Sequence, residues 1–152
     1  MILFLDFDGV LHPMRRTEPD FSRVSKLWEI LRACPTVDVV FSTSWREIYT
    51  PAEMLKFMTE NGGEDLLARF VGFNPSVMRE AGAYRTGTYF RREQECKLWL
   101  AGNGQPHRYW LAVDDIAEVF SPSCANLYLT DDHQGLTDVD TKKIIALFES
   151  RK

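Results

Sequence analysis

The chain has 152 residues, 45% of them hydrophobic and 26% charged, with a formal net charge of -4. That length suits one domain with its own core, and the acidic balance excludes a protein-wide field that attracts nucleic acid or an anionic membrane. Three widely spaced cysteines, Cys34, Cys96 and Cys124, argue against a disulfide framework or a zinc knuckle and suit a reducing cytoplasm.

In chain order, Ile2–Asp6 reads as a buried strand. It has no basic leader and is interrupted at Asp6, so it does not read as a signal peptide, and no later apolar run is long enough to cross a bilayer. Residues 10–20, with Pro13 and Pro19, read as a loop or small flap. Asp20 is placed to cap a helix whose apolar residues Phe21, Val24, Leu27, Trp28 and Leu31 recur at helical spacing. Val37–Phe41 is a second buried strand. Thr50-Pro51-Ala52-Glu53 has the form of a capping box with proline at the first helical position, and the helix it opens is expected to end at Gly62-Gly63. Arg69–Phe73 is a third strand, and residues 74–91 form a long loop. A helix follows to about Leu100 and stops at Gly102-Asn103-Gly104. Tyr109–Val113 is a fourth strand and Leu127–Thr130 a short fifth. Thr137-Asp138-Val139-Asp140 caps a last helix, with Ile144, Ile145 and Phe148 inward.

Apolar strands alternating with helices predict an α/β three-layer sandwich, a mostly parallel five-stranded sheet covered on both faces. Ligands of such sheets bind beyond the carboxyl ends of the strands. Polar clusters fall at those ends: Asp6 and Asp8 after the first strand, Ser42-Thr43-Ser44 after the second, Asp114-Asp115 after the fourth. Alternate residues of an extended chain point the same way, so Asp6 and Asp8 can project into one site about 6–7 Å apart. Gly9 then permits a sharp turn and a close approach to a ligand.

Two neighbouring acids call for a cation between them, and a hard oxygen-ligated ion such as Mg²⁺ meets that need. The expected metal ligands are Asp6, Asp8, Asp114 and Asp115. Asp6 is the candidate nucleophile, since an ionised carboxylate can attack phosphorus. Asp8 is the candidate general acid and base. Ser42 can donate its hydroxyl to a phosphate oxygen, with Thr43 and Ser44 weaker candidates for that role. For the cation facing the phosphate, Arg92 shares a helix face with Cys96 and Trp99, whereas Lys97 points away from it. Arg91 is the fallback, and Arg46 can also reach an anion. Asp131-Asp132-His133 has no further ligand nearby in sequence and reads as a solvated turn.

Asp6-Phe7-Asp8-Gly9-Val10, the strand ending at Ser42, a basic residue at a later helix start and Val113-Asp114-Asp115 resemble, in order and spacing, the four motifs of the haloacid dehalogenase (HAD) superfamily. The longer strings Asp6–Pro13 and Ser42–Arg46, with Gly135-Leu136-Thr137, resemble a small capless branch of that superfamily associated with nucleic-acid repair proteins. The resemblance implies a Rossmann-like core, Mg²⁺-dependent phosphoryl chemistry and Asp6 as nucleophile. The second acid at Asp8 favours phosphate over halide substrates. The third motif is usually lysine; here its best match is Arg92.

Only about a dozen residues separate the first motif from the next helix, so no large cap domain is expected and the site should be open. The partner is then a phosphorylated substrate, either a small molecule or a nucleic-acid end. Arg79, Arg85, Arg91 and Arg92, interleaved with Tyr84, Tyr89 and Phe90, can hold phosphates and stack bases, or can form a lid. Two other readings compete with a phosphatase. A phosphate- or metal-binding module without turnover has no need of Asp8 as an acid. A receiver-type signalling domain needs its aspartate after the third strand, where Phe73-Asn74-Pro75 offers none.

Overall fold

A computed structural model describes residues 1–77 and 89–151 of the chain. Its strands are β1 (Ile2–Leu5), β2 (Asp38–Phe41), β3 (Phe70–Phe73), β4 (Trp110–Asp114) and β5 (Leu127–Leu129). They form one sheet in the order β3-β2-β1-β4-β5, with every pair parallel. Around it pack α1 (Val24–Ala33), α2 (Pro51–Thr59), α3 (Arg91–Gly102) and α4 (Asp138–Glu149). This is the expected α/β, Rossmann-like sandwich, and the described residues contain no large cap.

The central position of β1 explains its composition. It has a strand on either edge and helices over both faces, so Ile2, Leu3, Phe4 and Leu5 are all buried. A strand buried on both faces reads as an unbroken apolar run. Odd and even positions of β1 serve different layers. Leu3 and Leu5 join Leu27 and Leu31 of α1, Met54 of α2, and Ile144 and Phe148 of α4. Ile2 and Phe4 join Cys96, Trp99 and Leu100 of α3. The same parity holds on both neighbouring strands: Val39, Phe41, Leu111 and Val113 face the first layer, while Val40 and Ala112 face α3.

Parity and register together place the site. Leu5 is paired with Phe41 on one side and Val113 on the other. The next residue of each strand is therefore Asp6, Ser42 or Asp114, all level at the carboxyl edge and on the α3 side by alternation. Two ladder bonds extend to this row, Asp6 N–H to Val113 O at 3.1 Å and Ser42 N–H to Leu5 O at 2.8 Å.

Several local expectations hold at the level of atoms. Thr50 and Glu53 cap α2 reciprocally, as do Thr137 and Asp140 for α4. The strand ends shift by a single residue, and two helix boundaries differ by more. Asp20 does not cap α1, which begins at Val24 without a side-chain cap. Asp20 instead takes both terminal hydrogen bonds from Arg16 Nη1, at 2.8 and 2.7 Å, and Phe21 adopts a left-handed conformation (φ 62°) that interrupts any earlier helix. Likewise α2 ends at Thr59 rather than at Gly62-Gly63. Those glycines serve packing: a Cβ at Gly63 would lie 2.4 Å from Trp28 Nε1, which donates to Met58 O at 2.7 Å.

Candidate active site

Asp6, Asp114 and Asp115 converge at the edge of the sheet, with one carboxylate oxygen of each within 4.8 Å of the others. Asp6 and Asp114 are buried. The two strand ends bring them together, and the tight turn at Gly9 (φ +66°) brings the Asp115 carboxylate against the backbone of the first loop. Asp114 Oδ1 accepts from the Ile116 amide at 2.9 Å. Asp115 Oδ1 is buried with no hydrogen-bond partner among the described residues. Thr130, which sequence reasoning overlooked, ties the two loops: its hydroxyl donates to Gly9 O at 2.9 Å and its amide to Asp114 O at 3.0 Å.

Burial and mutual repulsion dominate the electrostatics of this trio. Burial, and then the charge of Asp6, push the Asp114 carboxyl up to about 7. The same two causes push Asp115 up to about 6. Burial raises Asp6 as well, against the opposing pull of Arg92, the Phe7 amide and the Thr43 hydroxyl. Clustered carboxylates disfavour one another's charged form, and a bound cation reverses that logic. An all-oxygen donor set with one orphaned buried carboxylate oxygen fits a hard divalent ion.

Of the basic candidates, Arg92 reaches the cluster. It is buried on the first turn of α3, with Nη2 at 3.8 Å from Asp6 Oδ1 and Nε at 3.8 Å from Asp114 Oδ2. A cation on a helix N-terminus is disfavoured by the helix dipole; the two carboxylates compensate here. Arg91 is exposed, and Lys97 pairs outward with Glu93 at 2.6 Å. Arg85, with Arg79, Glu80 and Tyr84, lies outside the described residues. Tyr89 is exposed.

Arg46 turns inward. Its guanidinium donates to Thr43 O at 2.9 Å, Asn74 Oδ1 at 3.3 Å and both oxygens of Glu95 at 3.1 Å, and burial lowers its affinity for its proton. Asn74 passes the connection on, donating to Ser42 Oγ at 2.9 Å. Ser42, as an acceptor from Asn74, keeps its own O–H as a donor. Glu95 is the hub of this network. It is buried, lies 3.6 Å from Arg92 Nη1, and accepts from the Val77 amide at 3.3 Å. Neither Glu95 nor Asn74 was anticipated; the signal for Glu95 was its place three residues after Arg92, on the same helix face.

Asp8 is not one of the trio, although its charge acts on both Asp6 and Asp115. Its Oδ1 meets His12 Nε2 at 3.0 Å and its Oδ2 accepts from Trp45 Nε1 at 2.8 Å, with Arg16 Nη2 at 3.5 Å. These partners, His12 foremost, hold the Asp8 carboxyl below the ordinary carboxylate range. Its carboxylate is thus committed to the flap and to the turn after β2 rather than joined with Asp6, Asp114 and Asp115. His12 and Trp45 were also missed as site residues, although both sit inside the strings Asp6–Pro13 and Ser42–Arg46. Thr43 orders that turn: its Oγ1 accepts from the Trp45 amide at 3.3 Å.

No helix among the described residues is long and apolar enough to cross a membrane. No curated protein and no solved structure matches the chain significantly. The family described as "HAD domain in Swiss Army Knife RNA repair proteins" matches residues 2–141. With a match over nearly the whole sheet-and-helix core, and with acidic clusters at the ends of β1 and β4, the chain belongs to this family of HAD domains.

Proposed function

We propose that this domain is a Mg²⁺-dependent phosphomonoesterase that works through an aspartyl-phosphate on Asp6. The observation that carries the proposal is the position of Arg92 between Asp6 and Asp114, one guanidinium beside three carboxylates. A phosphate monoester is dianionic near neutral pH, so it needs a site with fixed positive charge and a means of screening the attacking carboxylate.

Asp6, Asp114 and Asp115 would hold Mg²⁺. Bound there, the ion would neutralise phosphate charge and orient one phosphate oxygen. The anionic phosphate beside Asp8 disfavours its charged form, so Asp8 takes up a proton as the substrate binds; Asp6 then attacks phosphorus, the bond from phosphorus to the ester oxygen breaks, and that oxygen leaves with the proton from Asp8. Water then attacks the acyl-phosphate, Asp8 takes up the proton, and inorganic phosphate and the Asp6 carboxylate are restored. Arg92 and the Ser42 hydroxyl face the phosphate oxygens. Arg46 is assigned a supporting part, because its terminal donors are engaged by Thr43, Asn74 and Glu95. Asp8 is assigned to proton transfer, its carboxylate oriented by His12 and Trp45, and its backbone carbonyl is left as the atom with which it could add to the metal's oxygen ligands.

The substrate class is a phosphate ester on an extended molecule, with a nucleic-acid end favoured by the family's occurrence in RNA repair proteins. The test is release of inorganic phosphate from phosphorylated oligonucleotides, mononucleotides and sugar phosphates, with Mg²⁺ and with chelator, in the wild type and in Asp6→Asn. The expected result is Mg²⁺-dependent release abolished in Asp6→Asn without loss of fold. No release from any ester, together with Mg²⁺ binding, would identify a non-catalytic binding module instead.

A further inference from the structure

His12 is completely buried, and the chemistry proposed above gives it no task. Its environment is built in detail. The ring stands edge-on to Phe21 at 5.5 Å and tilted against Trp45 at 5.9 Å. Its Nδ1 accepts a hydrogen bond from the Phe21 amide at 3.2 Å. A ring nitrogen that accepts carries no proton, so the ring hydrogen is on Nε2 and is donated to Asp8 Oδ1 at 3.0 Å.

Phe21 is able to make this contact because of its left-handed backbone (φ 62°). A non-glycine residue in that conformation persists where its surroundings fix it. Phe21 is fixed by stacking on Phe57 at 5.2 Å and by edge contacts with Phe7 and Trp45. The opposite oxygen of Asp8 is held by Trp45, whose ring belongs to the same aromatic group. Two ring N–H groups on one packed aromatic cluster therefore grip Asp8 from both sides. A carboxylate offers roughly four acceptor positions, so this grip fixes its orientation and still leaves room for a proton.

We propose that His12 is the positioning residue for Asp8: its Nε2–H aims the Asp8 carboxylate at the ester and at the hydrolytic water. The proposal rests on the phosphatase reading above and adds a role for a residue outside the four motif positions. Misplacing a proton-transfer group by about 1 Å can cost on the order of 100-fold in rate.

Two substitutions separate this role from simple packing. His12→Gln keeps a donor N–H with about the reach of Nε2. His12→Asn keeps an acceptor near Nδ1 for the Phe21 amide but is too short to reach Asp8. The measurements are kcat and KM on a phosphorylated oligonucleotide, Mg²⁺ binding by calorimetry, and acid-quench trapping of phosphoenzyme from a labelled activated phosphate ester, whose leaving group needs no proton from Asp8. In His12→Asn, kcat should fall about 100-fold, KM and Mg²⁺ affinity should stay near those of the wild type, and phosphoenzyme should accumulate. His12→Gln should recover most of kcat. Wild-type kcat in His12→Asn would overturn the proposal, as would equal losses in both variants that track a loss of thermal stability. Absence of turnover in the wild type itself would instead overturn the phosphatase reading.

Discussion

Gly9 and Asp115 are in direct contact: a Cβ built on Gly9 would lie 2.4 Å from Asp115 Oδ2 and 2.6 Å from its carboxyl carbon. Gly9 also has a φ of +66°, a conformation that costs an L-residue roughly 1–2 kcal/mol. Gly9→Ala should therefore lose about that much stability and also push the Asp115 carboxylate out of the trio. The second effect is separable from the first. A ligand that binds only the folded state raises its melting temperature, so Mg²⁺ should stabilise the wild type clearly and Gly9→Ala weakly. Thermal melts at several Mg²⁺ concentrations check this; a full Mg²⁺ response in Gly9→Ala would remove Asp115 from the ion's ligands.

That contact could not be read from the sequence, although Gly9 itself was singled out there as a turn glycine. What was legible follows from period and order. β1, β2 and β4 are strands buried on both faces, and their apolar runs and polar endings are local facts of the sequence. Order then put Asp6, Ser42 and Asp114 at one end of the sheet; that they share its α3 side follows from the strand register, which the sequence does not specify. The capping boxes at Thr50 and Thr137 were legible because each is complete within four residues. The α1 start was not, because Asp20 was claimed by Arg16, a contact across a turn whose backbone no propensity specifies. Glu95, Asn74, His12 and Thr130 were missed for one shared reason. Each acts through contacts with other elements or loops, and their residue types are common on ordinary helices and turns.

The carboxylate trio gives the metal-free protein an unusual dependence on pH. Asp114 and Asp115, with folded values of about 7 and about 6, bind protons more tightly folded than at the ordinary value of 3.8. Between about 4 and 7 the folded state thus holds protons that the unfolded state has released, and stability falls as pH rises through that window. Groups held low, such as Asp8 and Asp65, lose their contribution only as pH falls below the ordinary carboxylate range, outside the window. In chelator, the melting temperature should fall on the order of 5 °C between pH 5 and pH 7.5. Mg²⁺ should abolish the fall and release protons on binding. Asp114→Asn should flatten the chelator curve; an unchanged slope in that variant would place the titration elsewhere.

Glu95 joins Arg46 and Arg92 in a buried network. Removing one partner from such a network leaves a buried charge uncompensated, at a cost of about 3–5 kcal/mol. Glu95→Ala should be destabilised by that amount in chemical denaturation. Glu95→Gln keeps the volume and one acceptor, so its stability loss should be smaller, while Arg92, drawn now only by Asp6 and Asp114, shifts relative to Asp6. The informative result is a Glu95→Gln variant that folds yet loses substrate affinity, seen as a raised KM with Mg²⁺ binding intact. An unaltered KM would show that Arg92 is held by Asp6 and Asp114 alone.

The choice between an extended and a small substrate depends on charge placed outside the catalytic cluster. The net charge of -4 gives no general attraction to nucleic acid, so any oligonucleotide preference must come from a few local cations. Arg85, with Arg79 and Tyr84, falls in the segment 78–88 that precedes α3, and Tyr89, which is 78% exposed, follows it. Contacts between arginines and backbone phosphates release counterions and weaken as salt rises, by roughly one unit of log–log slope per contact. If the segment grips a phosphorylated oligonucleotide, kcat/KM should exceed that for the matching mononucleotide, and the excess should shrink with salt and in Arg85→Ala. The mononucleotide reaction should be nearly unaffected by either change, because it needs only Asp6, Asp8, Ser42, Arg92 and the metal-binding carboxylates. A preference for mononucleotides or sugar phosphates that Arg85→Ala leaves untouched would mark the segment as a lid and the domain as a metabolite phosphatase.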